Sequence, residues 1–363
     1  MGAIAIVLGT RSEMIKQAPL AKALGDRARI LHTGQDFDGE LSSGLLAELG
    51  LRRVAGLAMV GGRPRAEQIG LALTALDEYF TRRRPSAVVV HGGTNAAVAG
   101  ALAANARRIP LVHVEAGLRS YDRDVPEEHN RVLVDHLADL LCAPTPGNVV
   151  NLRAESIGAD RVRLTGSTVV DAVRRHLPSP AQRATVLRAH GAKPEDYVLA
   201  TIHRPRNTED RESLRAIVRE LADIAAGTLP VLLSVHPRTR EALAATGLHD
   251  ALHPVIQLPP LPYGEFLSLA SHAAVLVSDS GTIQEEVTVL KRPLVVVGAA
   301  TERPESLVHF ARLAAPGPGI GDGVREMVHA RPDLTDLPCP YGEHATSRIV
   351  EAIQDLLARH LSR

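Results

Sequence analysis

The chain has 363 residues, 45% hydrophobic and 23% charged, with 41 basic and 41 acidic residues and a formal net charge of zero. That length suffices for two cored domains; the balanced charge disfavours a nucleic-acid footprint, and 2% aromatics with no Trp disfavour stacking platforms for bases or sugars. Two cysteines, Cys142 and Cys339, fit no metal spacing, and no run approaches ~18 apolar residues, so no metal centre and no membrane span are expected and the chain reads as cytoplasmic.

Taken in order, Ile4–Leu8 reads as a buried strand, Gly9-Thr10-Arg11 as a turn and 13–24 as a helix. Strand 30–32, helix 39–49 and helix 67–80 follow. Strand 87–90, helix 96–106, strand Leu111–Val114, helix 128–138 and strand Leu140–Ala143 continue the alternation. The same rhythm restarts after Thr165-Gly166-Ser167, with strands Val198–Thr201, Val231–Ser234, 255–258, 274–277 and Leu294–Val297 and a helix over 211–226. Near-continuous apolar strands alternating with helices predict parallel sheets covered on both faces. The halves divide as 1–168 and 169–349, and a final amphipathic helix, 350–363, is expected to pack back on the first half. Two α/β domains of this kind suggest a ligand cleft between them.

The charged residues concentrate where these strands end. His113–Arg131, HVEAGLRSYDRDVPEEHNR, holds Glu115, Glu127, Glu128, Arg119, Arg123, Arg131, His113 and His129 behind a short strand. A carboxylate on such a loop with cations close by can be tuned as an acid or base. Arg11 and Lys16 beside the first helix start make an anion cradle, although neither a GxGxxG nor a GxxxxGK[ST] pattern is present. Ser280, with the amides of Gly281 and Thr282, opens another helix as a phosphate cradle, or as an ordinary cap. Glu286 lies within reach of a ribose diol there, and Arg303 follows the next strand. His203-Arg204 and His236-Pro237-Arg238 end two further strands, and His91-Gly92-Gly93-Thr94 ends another.

These segments together resemble the non-hydrolysing UDP-N-acetylglucosamine 2-epimerase family along almost the whole chain. The carrying residues are GTRSEMIKQAPL at 9–20, TGQDFD at 33–38, HVEAGLRS at 113–120, VPEEHNR at 125–131, TIHR at 201–204, VHPRTR at 235–240, SDSGTIQEE at 278–286 and TERPES at 301–306. The resemblance implies an α/β chain of two Rossmann-like doubly wound domains facing a central cleft, as in GT-B glycosyltransferases. It implies a UDP-sugar substrate such as UDP-N-acetylglucosamine and no cofactor. It places Ser280, Gly281 and Glu286 at diphosphate and ribose, Tyr263 and Phe266 at uracil, and Arg11, Lys16, His203 and Arg303 around the diphosphate; His203 is also a catalytic candidate, and Thr282 and His236 are further substrate-binding candidates. Glu115 and Glu127 match two of three catalytic carboxylates, with Arg131 as a charge partner. Many members are homodimers, which makes a homodimer the candidate assembly.

The chain departs from the family pattern at the sugar. The family's HGDT is His91-Gly92-Gly93-Thr94 in this chain, so Gly93 stands where the third carboxylate is expected. TGQH becomes TGQD, which offers Asp36 as a substitute carboxylate, and HRxEN becomes His203-Arg204-Pro205-Arg206-Asn207. Loss of a general base typically costs ~10²–10⁴-fold in rate. The leading expectation is a 2-epimerase that eliminates and re-adds UDP. A glycosyltransferase with its acceptor in the space left by Gly93, a UDP-sugar hydrolase and a non-catalytic sensor are the alternatives.

Overall fold

A computed structural model of the chain describes residues 2–35, 39–52 and 54–361. The chain divides into two compact units, Met1–Ala172 with Tyr341–Arg363, and Val173–Pro340. The first holds strands β1 (Ile4–Leu8), β2 (Ala28–His32), β3 (Val54–Gly56), β4 (Ala87–His91), β5 (Leu111–Val114), β6 (Leu140–Ala143) and β7 (Val162–Leu164). They pair in parallel in the order β3-β2-β1-β4-β5-β6-β7. Its helices are α1 (Arg11–Leu24), α2 (Gly39–Glu48), α3 (Arg65–Arg82), α4 (Asn95–Ala106), α5 (Pro126–Leu137) and α6 (Pro146–Ala154), and α7 (Thr168–His176) leads into the second unit.

The second unit holds β8 (Val198–Thr201), β9 (Val231–Ser234), β10 (Ile256–Leu258), β11 (Val275–Ser278), β12 (Leu294–Val297) and β13 (Ala311–Ala314), in the order β10-β9-β8-β11-β12-β13 and again parallel. Its helices are α8 (Pro180–Ala189), α9 (Pro205–Thr208), α10 (Arg211–Gly227), α11 (Pro237–Thr246), α12 (Tyr263–Ala270), α13 (Gly281–Leu290) and α14 (Gly319–Ala330). The last helix, α15 (Ala345–Leu361), packs against α1 in the first unit. Its entry is pinned there by Ser167 N–H donating to Tyr341 O and by Thr346 N–H donating to Asp171 Oδ2. Residues 341–349, read from the sequence as the end of the second domain, therefore belong to the first unit.

The strands are β-branched and apolar because both sheet faces are covered: β1 and β4 are buried along their whole length. The small residues of α4 have the complementary reason. A Cβ on Gly100 would lie 2.9 Å from Val90 and 3.2 Å from Val7, so glycine there lets α4 lie directly on β1 and β4. The edge strands β3, β7 and β13 were not anticipated; β3 and β7 have three residues each, half-covered and without a long apolar run. No helix among the described residues is long and apolar enough to cross a membrane.

Each sheet reverses its strand order once, between β1 and β4 in the first unit and between β8 and β11 in the second. In open parallel sheets the loops leaving the carboxyl ends at such a reversal are where ligands bind. Those loops are Gly9-Thr10-Arg11 and His91-Gly92-Gly93-Thr94 in one unit, and His203-Arg204 and Asp279-Ser280 in the other.

Candidate active site

In the first unit, Glu115 follows β5 immediately and takes a left-handed backbone conformation, φ +68°. That conformation costs a non-glycine residue about 1–2 kcal/mol, and it recurs where a side chain must be aimed. Lys16 reaches it from α1, with Nζ 2.8 Å from Glu115 Oε1 and both side chains buried. Lys16, expected at the diphosphate, is thus an ion partner of the expected acid–base carboxylate. His91 Nε2 lies 3.3 Å from the other oxygen, Oε2. Burial pushes the His91 pKa down to about 4, against the upward pull of Glu115, so the ring is neutral near pH 7.

The turn after β4 is equally crowded. A Cβ on Gly92 would lie 2.8 Å from Glu115 Oε2, and one on Gly93 would lie 2.5 Å from the Glu127 carbonyl oxygen and 2.9 Å from Arg131 Cγ. The expectation that Gly93 leaves room for an acceptor is therefore corrected: the first turn of α5 fills that space. Asn130, buried on α5, donates to Gly93 O at 2.8 Å and fixes the contact. Helix α5 also starts earlier than the sequence suggested, with Pro126 in its first turn, where its missing N–H costs nothing. Glu127 and Glu128 both sit in that first turn, favourably placed against the helix dipole.

Their fates differ. Glu127 is exposed, whereas Glu128 is buried and accepts from the amides of Ser120 and Tyr121 and from Arg131. Burial raises the Glu128 pKa, but Arg131 and those amides outweigh it and hold it below the ordinary carboxylate range. Arg131 is accordingly the partner of Glu128. Beneath the turn, His113 Nε2–H donates to Gly92 O at 3.0 Å, and its Nδ1 lies 2.7 Å from Asp135, which also binds Arg119. Glu13 ties β1 to β4: its carboxylate accepts from the amides of Gly9 and Thr10, in a capping box with Thr10, and from the hydroxyl of Thr94. Burial nevertheless raises its pKa to about 7. Arg11 is the first residue of α1 on the same turn.

In the second unit Asp279 is the hub. Its carboxylate accepts from the backbone N–H groups of His203 and Arg204 and from Asn207, and it lies 3.1 Å from His203 Nδ1. Burial opposes the charge, but His203 and these donors bring its pKa down to about 2. The rings of His203 and His236 lie 5.5 Å apart between centroids, tilted by 39°. With Asp279 so engaged, Ser280 stands at the N-cap of α13 without a side-chain capping bond, which leaves the amides of the first turn uncapped by it. The ordinary-cap reading is thereby weakened.

Arg303 is buried beside that helix start, so close that a Cβ on Gly281 would lie 2.3 Å from its Nη1. Its Nε donates to Glu285 at 2.6 Å and its Nη1 to Glu302, which also binds Arg204. Arg303 was expected around the diphosphate, and these bonds hold it at the α13 start. Tyr263 OH donates to Glu286 at 2.9 Å, bringing two of the expected nucleoside contacts together, and Phe266 is half-buried one turn along α12. Thr282 is buried in the first turn of α13.

Sequence reasoning assigned no role to Glu13, Gln17, Asp135, Asn207 or Glu302. Their signal was local: Gln17 adjoins Lys16, and Glu302 adjoins the noted Arg303. Asp36 lies outside the described residues. No group of three or more His, Cys, Asp or Glu among the described residues could hold a metal.

Comparison with known proteins gives a consistent likeness. The family model for UDP-N-acetylglucosamine 2-epimerase matches residues 21–354. A UDP-N-acetylglucosamine 2-epimerase of Methanocaldococcus jannaschii is 34% identical over 336 residues, 90% of each chain. A UDP-2,3-diacetamido-2,3-dideoxy-D-glucuronate 2-epimerase of Pseudomonas aeruginosa is 33% identical over 97% of this chain and 99% of its own. A crystal structure of the M. jannaschii UDP-GlcNAc 2-epimerase in complex with UDP-GlcNAc and UDP superposes with a TM-score of 0.90 at 33% identity, covering 98% of this chain and 99% of that one.

Proposed function

The chain belongs to the UDP-N-acetylglucosamine 2-epimerase family, and from that premise we propose that it inverts C2 of a UDP-2-acetamido sugar, UDP-N-acetylglucosamine or a close relative. Relatives acting on two different sugars match this chain almost equally well, so the substrate is defined as a class of sugar. The observation that carries the reading is Glu115, a buried carboxylate aimed by a left-handed backbone and ion-paired to Lys16 beside a strand-order reversal.

In the proposed reaction a carboxylate removes the C2 proton, the C2–H electrons form a C1=C2 bond, and the C1–O bond breaks with its electrons leaving on UDP. The resulting 2-acetamidoglucal is reprotonated at C2 on its opposite face, and UDP adds back at C1. No electrons are gained or lost, which is why no nicotinamide is required. Glu115 is the first carboxylate. Glu127, exposed at the start of α5, is the second. Departing UDP needs preorganised positive groups. The second unit offers the α13 amides of Gly281 and Thr282 with the Ser280 hydroxyl, and the side chains of His203 and His236 as further hydrogen-bonding groups; Tyr263, Phe266 and Glu286 are assigned to the nucleoside. Arg11 is assigned to the diphosphate.

The transferase alternative loses its main support, because the space it assigned to an acceptor at Gly93 is filled by α5. The test is ³¹P and ¹H NMR of the purified protein with UDP-N-acetylglucosamine alone. A second UDP-sugar with an inverted C2 is expected; accumulation of UDP and free sugar as sole products overturns the reading. The cytoplasm and a homodimer belong to the same reading, and light scattering at twice the chain mass is the check on the dimer.

A further inference from the structure

Glu115 is approached from a second side by residues that have no assigned role. His91 is 3% exposed and Gln17 is 1% exposed. His91 Nε2 lies 3.3 Å from Glu115 Oε2, and His91 Nδ1 lies 3.0 Å from Gln17 Nε2. One tautomer suits both neighbours. A carboxylate oxygen only accepts, so Nε2 carries the proton; Nδ1 is then a lone pair, and the amide NH₂ of Gln17 serves it. The other tautomer would set a lone pair against the carboxylate in a buried site, where that repulsion is poorly screened.

Gln17 Oε1 and His91 Nε2 are both buried without a hydrogen-bond partner. The His91 N–H thus faces Glu115 Oε2 at 3.3 Å short of hydrogen-bond alignment, so that a small turn of the carboxylate is what brings the two together. Lys16 is bound at the other oxygen, Oε1. Oε2 is therefore the oxygen on which His91 acts. The charged and titratable groups around His91 come from two elements and a loop: Lys16 on α1, His113 on β5 and Glu115 just beyond it. Buried and neutral, His91 is suited to orient a carboxylate and unsuited to carry the proton itself.

We infer that Gln17 and His91 form a positioning relay: Gln17 fixes the His91 tautomer, and the His91 Nε2–H orients Glu115 for proton transfer at C2. The inference rests on the reading of Glu115 as an acid–base group, and its decisive test is independent of turnover. In the full chain labelled with ¹⁵N-histidine, the His91 signals are assigned by their loss in His91→Asn. The relay requires a protonated Nε2 and an unprotonated Nδ1 in the wild type, and loss of that single tautomer in Gln17→Leu. It further requires that Gln17→Leu lower kcat for C2 proton exchange by roughly ten- to a hundredfold, as a misoriented group does, while KM for the UDP-sugar moves by less than about twofold. A His91 proton on Nδ1 in the wild type overturns the relay, as does a Gln17→Leu enzyme with wild-type kcat. Should Gln17→Leu not fold, the wild-type tautomer still decides. A wild type that exchanges no C2 proton overturns the proposed function instead, and the tautomer then tests the hydrogen-bond chain by itself.

Discussion

Lys16 Nζ lies 2.8 Å from Glu115 Oε1, a buried ion pair between residues 99 apart in sequence that joins α1 to the end of β5. Removing one partner of such a pair leaves a charge without compensation, which typically costs about 3–5 kcal/mol. Lys16→Met is expected to destabilise the protein by that order and to abolish turnover. Glu115→Gln keeps an oxygen for Lys16 but leaves its ammonium without a counter-charge, so it too should unfold at a lower urea concentration while losing turnover. A Lys16→Met protein as stable as wild type contradicts the pairing.

Gly93→Asp, which restores the family's residue, is expected to harm this protein. The added Cβ meets the Glu127 carbonyl and the Arg131 stem, and overpacking of that kind typically costs about 1–3 kcal/mol. A lower melting temperature and slower turnover are expected. A stable and faster Gly93→Asp enzyme contradicts the packing of α5 against this turn.

The adjacent glutamates of α5 should separate stability from chemistry. Glu128→Gln removes the charge that holds Ser120, Tyr121 and Arg131, and loss of melting temperature is the expected effect. Glu127→Gln changes an exposed side chain, so the fold should stand while turnover falls by ~10²-fold or more. Calorimetry and initial rates on both variants decide the matter.

Two carboxyls give opposite pH signatures. Glu13 has its folded pKa raised to about 7, so its contribution is fully present below its ordinary value of 4.5 and is lost as pH rises through 7. The shift corresponds to about 3 kcal/mol. Glu13→Gln should flatten the decline of stability across that window. Asp279 has its pKa lowered to about 2, so its contribution is present above 3.8 and is lost as pH falls through 2. Asp279→Asn should lower the melting temperature near neutral pH and remove that acid dependence. Melting temperatures from pH 2 to 8 test both.

The sheets were legible because β1, β4, β8, β11 and β12 are short apolar runs closed by Gly, His, Ser or Thr, and strands of that kind need little context. The loops at their ends were legible for the same reason. Partnership was not. Lys16 and Arg303 read as cations for an anion from outside, and each is also bound within the chain, Lys16 by Glu115 and Arg303 by Glu285 and the adjacent Glu302. Glu127 and Glu128 look equivalent in VPEEHNR; only the helix phase, which sets 128 and 131 three apart on the inner face, tells them apart. Gly93 announced a missing carboxylate, but a glycine carries no sign of what fills the space its side chain leaves.

The most direct test of the epimerase reading is incubation with UDP-N-acetylglucosamine in D₂O, with C2 followed by ¹H NMR. The account predicts deuterium at C2 in recovered substrate and product with no acceptor added, and no deuterium with Glu115→Gln. Release of UDP with C2 still carrying its original proton contradicts it.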